Sequence, residues 1–169
     1  MKNNMYIDSP LIYDDTIVSK SHNTKVYKNA VLLTSGTWSD MISNSRILYK
    51  EEILSKYAKS WDSSYIDLQH SHHPLDMAGT VRNQRWGYSD KIKKKAVIGD
   101  LYIDKTLHAG NEISKLIDSG IVNQVSVEMI TEDYWDTAST TRAVSEIKFL
   151  GLAILGGPSI PACRDTIIQ

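Results

Sequence analysis

In the sequence IVNQVSVEMI, residues 121–130, apolar and polar residues alternate, and this is the clearest indication of the fold in the chain. Alternation with a period of two is typical of a β-strand, in which successive side chains point to opposite faces of the sheet. The predicted core face carries Val125, Val127 and Met129. The opposite, presented face carries Gln124, Ser126 and Glu128. The segment therefore predicts a strand that presents a serine hydroxyl and a carboxylate side by side.

Further strands are predicted on both sides of this segment. Runs rich in β-branched and aromatic residues occur at 26–38, 65–70, 78–86, 96–104 and 144–155. One helix is predicted with Leu54, Tyr57, Ala58 and Trp61 on its apolar face, capped by Asn44 or Ser45. A second begins near Leu107 and ends at Gly120, and residues 133–141 read as a turn-rich loop. This order predicts an α+β fold, a mainly antiparallel β-barrel, closed or half-closed, flanked by helices.

Composition limits the class of protein. The chain has 169 residues, 41% of them hydrophobic and 23% charged, which is typical of one globular domain. We expect a polar N-terminal arm or a weakly held edge at 1–25 and a single domain at 26–169. The net charge of −1 favours no nucleic-acid partner. No apolar stretch is long enough for a signal peptide or a bilayer span, and Cys163 is the only cysteine, so neither a membrane partner nor an internal disulfide is expected.

Three segments carry the groups that acyl transfer by a serine requires. Such a reaction needs a hydroxyl, a base that takes its proton, and hydrogen-bond donors for the developing oxyanion. Ser126 supplies the hydroxyl, and His70, at the end of a predicted strand, supplies an imidazole. Gly156 and Gly157 offer backbone N–H groups that no side chain obstructs. Each of these features is common in structural roles, so the pattern alone does not assign the activity.

From about residue 65 to residue 163 the chain resembles the tailed-phage prohead (capsid maturation) serine proteases and, more distantly, the herpesvirus assemblins. The resemblance rests on the order of several motifs. They are IDLQH at 66–70 followed by AGTV at 78–81, AVIGDLYID at 96–104, VSVEM at 125–129 after a helix, and LGLAILGGPSIPAC at 150–163.

The resemblance implies a serine endopeptidase with Ser126 as nucleophile and His70 as general base. It also implies that the substrates are the major capsid protein, the scaffolding protein and the enzyme itself, cleaved inside the assembling procapsid in the host cytoplasm. Backbone N–H groups from Gly156 to Ser159 would hold the oxyanion, with a water or Arg164 assisting. A homodimer is left open, because assemblins are activated by dimerisation. No cofactor and no metal ion belong to this expectation.

The chain departs from the family at the third catalytic position, which falls near Gly151, a residue with no side chain to orient an imidazole. Either the enzyme works as a Ser-His dyad, or Glu128, Asp67 or His72 takes that role. Glu128 is the first substitute, because it shares a strand face with Ser126. His72 also matches the spacing to the following glycine and is the alternative base.

Two other functions stay open. The cluster of His70, His72 and His73 suggests a metal-dependent hydrolase, since imidazoles are common zinc ligands. The following residues Pro74 and Leu75 do not fit the His-x-His-x-Asp-His signature of metallo-hydrolases. The missing third catalytic residue favours a catalytically inactive capsid or scaffold component that keeps the protease fold. Retention of both a serine and a histidine argues against that reading.

Overall fold

A computed structural model describes residues 3–10, 15–18, 23–39, 45–60 and 64–156, with side chains described from residue 23 onward. Strands dominate this part of the chain. They are β1 (Asn3–Pro10), β2 (Asp15–Val18), β3 (Thr24–Thr34), β4 (Gly36–Ser39), β5 (Arg46–Tyr49), β6 (Tyr65–Leu68), β7 (Met77–Ser89), β8 (Lys94–Asp104), β9 (Gln124–Asp136) and β10 (Thr141–Leu155).

Two α-helices interrupt the strands, α1 (Glu51–Tyr57) and α2 (His108–Asp118). Short 3₁₀ turns follow α1 at Ala58–Ser60 and precede β7 at Pro74–Asp76. Helix α2 ends as its sequence predicts, since Gly120 has a φ of 71° and so adopts the left-handed conformation that closes helices. None of the helices in the described part of the chain has the length and hydropathy that a membrane span requires.

The strands form one ten-stranded mixed sheet. Its hydrogen-bonded path runs β1-β9-β10-β6-β7-β8-β3-β2, and β5 joins it beside β10 and carries β4. Most neighbours are antiparallel, but β10 pairs in parallel with both β5 and β6. The predicted α+β class is confirmed. The predicted antiparallel barrel is not confirmed, because in the described residues this path ends at β1 and β2 without joining them.

One apolar core lies on the inner face of the sheet. Strand β9 contributes Val125, Val127 and Met129 to it, as the alternating sequence predicts. Helix α2 packs on β7 and β8 through Ile113 and Ile117. Each such side chain contributes roughly 1.5–3 kcal/mol when it is fully removed from water. This core fixes β9, β10 and β6 as neighbours, and their outer faces carry the candidate site.

Several sequence-based expectations about the elements are wrong. The predicted strand at 26–38 is two strands, because the chain bends at Ser35 and β4 begins at Gly36, whose φ is 144°. Helix α1 is not capped by Ser45, because residues 46–49 form β5, with Ile47 and Tyr49 buried. Asn44 and Trp61 lie outside the described residues. The loop predicted at 133–141 is shorter, since β9 continues to Asp136. Strands β1 and β2 come from the segment expected to be an arm or a weakly held edge, and they lie at the two ends of the strand path.

Candidate active site

The candidate site lies across β9, β10 and β6. Ser126 of β9 is paired with Ala153 of β10, which is paired with Asp67 of β6. One step along the same face, Glu128 is paired with Gly151, which is paired with Tyr65. Residues directly opposite in neighbouring strands share a sheet face. The sheet therefore presents two parallel rows of polar side chains, separated on β10 by only an alanine and a glycine.

Gly151 makes room for the ring of Tyr65. A Cβ atom at this position would lie 2.5 Å from Cε2 and 2.6 Å from Cζ of Tyr65, well inside van der Waals contact. With no side chain in between, the Tyr65 hydroxyl donates a hydrogen bond to Oε2 of Glu128. The glycine at the position where the resemblance led us to expect a third catalytic residue thus leaves room for Tyr65 to hold a carboxylate of the neighbouring strand.

The histidines lie in a turn with strained backbone that follows β6. Gln69, His70 and His72 have φ values of 52°, 57° and 54°, in the left-handed region that side chains other than glycine rarely adopt. Strand β6 ends at Leu68, so His70 lies in this turn and not in the strand predicted at 65–70. Strain of this kind is maintained only where the surroundings enforce it, and it is concentrated at functional sites.

Hydrogen bonds to the strands hold this turn in place. The Gln69 amide donates to the Ile154 carbonyl at 3.2 Å, and the His72 amide donates to Asp67 Oδ2 at 2.9 Å. The first bond attaches the turn to β10 and the second attaches it to β6. Both imidazoles are consequently directed at Glu128.

Glu128 is the centre of the site. Its Oε1 lies 2.5 Å from Nδ1 of His70 and 3.0 Å from Nε2 of His72, and the residue is 1% exposed. Burial alone would raise the pKa of Glu128. The hydrogen bonds from His70 and Tyr65 and the two nearby imidazoles outweigh burial, so the pKa lies below its ordinary value. Glu128 is therefore ionised at neutral pH.

The two imidazoles face Glu128 with different nitrogens. His70 presents Nδ1, so a neutral ring carries its proton on Nδ1 and its lone pair on Nε2. His72 presents Nε2, which leaves the lone pair of its neutral form on Nδ1. Serine-histidine-carboxylate sites use the first arrangement. Glu128 thus orients His70 in the tautomer of a general base.

Ser126 is more enclosed than its sequence indicates. The presented face predicted for β9 is in fact buried, with Ser126 0% exposed. Among the described residues its Oγ has no hydrogen-bond partner, so no bond joins it to either imidazole. A buried polar group without a partner is uncommon and calls for an explanation, catalysis being one. Catalytic hydrogen bonds are often long before substrate binds.

Asp67 is the other buried polar residue in the row of Ser126. It is 0% exposed, and its Oδ1 has no partner in the described part of the chain. Burial raises the pKa of Asp67, and the bond from the His72 amide offsets only part of that effect. Asp67 supports the backbone of the histidine turn by accepting the His72 amide.

The predicted oxyanion loop is described only at its first residue. Gly156 follows the end of β10, and a Cβ there would lie 3.4 Å from Gln69 Nε2, so it adjoins the histidine turn. Gly156 stands three residues beyond Ala153, which is roughly 10 Å along an extended chain. Gly157, Ser159 and Arg164 lie outside the described residues. The oxyanion assignment stays a prediction.

The possible metal ligands that the structure brings together differ from the predicted cluster of His70, His72 and His73. His73 is exposed and its Nδ1 accepts a hydrogen bond from the Leu75 amide. Ligand atoms of His70, His72 and Glu128 instead lie within 4.8 Å of one another. Two imidazoles and one carboxylate are a donor set that zinc-class cations accept.

A cavity of about 420 Å³ lies on the outer face beside Tyr65. Thr80 lines it and is paired with Tyr65 across β6 and β7, and Tyr102 is paired with Thr80 in turn. Arg82 lies over the Tyr102 ring at 4.8 Å from its centroid. The other lining residues are Thr24, Met77, Gly79, Asp104 and Leu107. No sequence pattern predicted this cavity or the Tyr65 contact, since both depend on which strands are neighbours.

The structure is similar to that of the bacteriophage T4 capsid assembly protease, gp21. The TM-score is 0.64 at 16% sequence identity, and the match covers 92% of this chain and 99% of that one. No protein-family profile and no curated protein matches the sequence. The predicted likeness to phage prohead proteases is confirmed at the level of the fold. The more distant likeness to assemblins stays a prediction.

Proposed function

We propose that this chain is a prohead maturation serine endopeptidase in which Ser126, His70 and Glu128 act together. The observation that carries the proposal is the contact of Glu128 with Nδ1 of His70, on the sheet face that also bears Ser126. The shared fold with a capsid assembly protease supports the same class of activity. Of the alternatives for the third position, the geometry favours Glu128 over a dyad and over Asp67.

In this mechanism Nε2 of His70 accepts the Ser126 proton as Oγ attacks the scissile carbonyl. The imidazolium then returns that proton to the leaving amine. Glu128 contacts neither substrate nor the reacting atoms, so it is a positioning residue. It fixes the tautomer of His70 and stabilises the imidazolium that forms. Backbone N–H groups beginning at Gly156 are proposed to hold the oxyanion. Because Ser126 is buried, residues covering it move when a substrate binds.

We further propose that the substrates are extensions of the major capsid and scaffolding proteins and of the enzyme itself. Cleavage would take place inside the assembling procapsid, and homodimerisation belongs to the same proposal. The cavity beside Tyr65 is the proposed place for a substrate side chain near the scissile bond. Its wall combines Arg82 and Asp104 with apolar surface, a mixture typical of pockets that orient a ligand.

Co-expression with the capsid and scaffolding proteins tests this proposal. Cleavage is followed by intact mass for the wild type, Ser126→Ala and His70→Ala. Ser119→Ala and His108→Ala are matched controls, since both residues are exposed and lie on or beside α2. We expect specific cleavage that the first pair of variants abolishes and the second pair leaves intact. A chelator should not prevent it.

The same experiment separates the rival functions. The Ser126 hydroxyl, buried and without a partner among the described residues, also suits an inactive capsid component, since no substrate reaches it in this conformation. That function predicts no cleavage by any form. A metal-dependent hydrolase predicts activity that a chelator abolishes and that Ser126→Ala retains.

A further inference from the structure

Two histidines converge on one carboxylate oxygen, although proton transfer from a serine needs only one of them. His72 Nε2 and His70 Nδ1 both face Oε1 of Glu128, and the backbone of both residues is in the left-handed region. A catalytic role for His70 gives no reason to bring a second imidazole to the same atom. His72 is therefore the feature that the proposed mechanism does not use.

We propose that His70, His72 and Glu128 form a reversible site for a zinc-class divalent cation that switches the protease off. Zinc binds imidazole nitrogen and carboxylate oxygen at about 2.0–2.2 Å, which places tetrahedral ligand atoms roughly 3.3 Å apart. That value is longer than the contacts of Glu128 with His70 and His72, at 2.5 Å and 3.0 Å, and shorter than the 4.8 Å within which all three ligand atoms lie. Closing the widest ligand separation to about 3.3 Å takes a movement of up to roughly 0.8 Å in each imidazole.

Neighbouring groups support the ligands as outer-shell partners do in metal sites. The Tyr65 hydroxyl holds Oε2 of Glu128, which leaves Oε1 to face the histidines. The carboxylate of Asp67 accepts the His72 amide and fixes the turn that carries both imidazoles. Hydrogen bonds of this kind orient the ligands and tune the affinity for the metal ion. The chain supplies three ligands, so water completes the coordination.

Metal binding and the proposed catalysis exclude each other for a chemical reason. A cation on Nδ1 of His70 uses the lone pair of that nitrogen, so the neutral ring then carries its proton on Nε2. That nitrogen is the one that must accept the Ser126 proton. Glu128, coordinated to the cation, is also withdrawn from orienting the imidazole. The inhibitory effect rests on the proposed function, whereas the binding site does not.

Binding is measured first, without any protease assay. The full chain is stripped with a chelator and desalted, then titrated with zinc chloride by calorimetry and with Co²⁺ by visible absorption. We expect one cation per chain and d–d bands of a nitrogen-ligated Co²⁺ site. His72→Ala and Glu128→Gln should each weaken binding at least about 10-fold, the lower end of what loss of even an outer-shell partner costs. His73→Asn, in the same turn but outside the cluster, should bind as the wild type does.

Inhibition is then measured in the cleavage assay. For each form, the rate with zinc is compared with its own metal-free rate. Zinc should inhibit the wild type and His73→Asn, and the concentration for half-inhibition should rise at least about 10-fold in His72→Ala.

No binding, or binding that His72→Ala and Glu128→Gln do not weaken, would overturn the site. Binding there that accelerates cleavage would overturn the inhibitory role. Zinc binding at these residues in a chain that never cleaves would leave the site standing while the protease proposal fails.

Discussion

Oε1 of Glu128 lies 2.5 Å from Nδ1 of His70, the imidazole nitrogen that a serine protease base turns away from its nucleophile. A neutral amide in place of this carboxylate neither stabilises the imidazolium nor fixes the tautomer. We therefore expect Glu128→Gln to lower kcat by between about 10² and 10⁴-fold with little change in KM. Steady-state kinetics on a peptide spanning a mapped cleavage site, recorded as a pH profile, measure both.

The control for this substitution is Glu132→Gln, on the same strand but exposed. It should keep the wild-type rate and pH profile. If Glu128→Gln also keeps them, His70 is oriented by some other group and the third member of the site is wrongly assigned.

Tyr65→Phe removes the hydroxyl that donates to Glu128, leaving a buried carboxylate oxygen short of a donor at a cost of about 1–3 kcal/mol. The pKa of Glu128 is lower in the folded protein than its value of 4.5 in the unfolded chain, so its interactions stabilise the fold at pH values above 4.5. This stabilisation is lost as the pH falls through the pKa of the folded state. The Tyr65 bond is one cause of the lowering. The Tm difference between wild type and Tyr65→Phe should therefore be largest near neutral pH and shrink on acidification, measured in the presence of a chelator. Tyr88→Phe, at an exposed position, should show no such trend.

Gly151→Ala tests the room that the Tyr65 ring requires. The new methyl group would overlap the ring, so we expect a loss of about 1–3 kcal/mol in the free energy of unfolding, together with reduced activity. Gly87→Ala is the matched strand control, since a Cβ there meets only Ile98 Cδ1, at 3.4 Å. Chemical denaturation of both variants measures the difference. Equal stabilities would mean that Tyr65 does not pack on Gly151 in solution.

Asp67→Asn tests the opposite pKa shift. Burial raises the pKa of Asp67, so ionisation destabilises the fold progressively as the pH rises from the unfolded value of 3.8 through the folded pKa. Asparagine cannot ionise. The Tm of Asp67→Asn relative to wild type should therefore increase from acidic to neutral pH in chelator-containing buffer. A difference that is constant, or that falls with pH, would contradict a raised pKa of Asp67 in the folded state.

Local sequence patterns predicted the elements where one period dominates. The alternation around Ser126 gave β9 and its core face, and the apolar face of α2 with Gly120 gave that helix and its end. In short segments the sequence leaves the secondary structure ambiguous, and pairing with other strands determines it. Residues 46–49 form a strand because Ile47 and Tyr49 are buried beside β10.

The site was predictable only in part, for the same physical reason. Side-chain alternation put Glu128 beside Ser126, and the family resemblance selected His70. Neither the alternation nor the resemblance indicates that β6 pairs in parallel with β10, the pairing that places Tyr65 over Gly151. Polar residues on one face of a strand also do not show whether other residues cover that face, so the burial of Ser126 could not be anticipated.

Reaction with a small fluorophosphonate, mapped by intact and peptide mass, is the most direct test of the proposed chemistry because it needs no natural substrate. An activated serine displaces fluoride and forms a stable Ser-O-P bond, whereas an ordinary serine does not react. We predict one adduct per chain on Ser126, its absence in Ser126→Ala, and strongly slowed formation in His70→Ala. An adduct on another serine, or a rate of Ser126 labelling that does not depend on His70, would contradict the assignment of Ser126 and His70 as nucleophile and base.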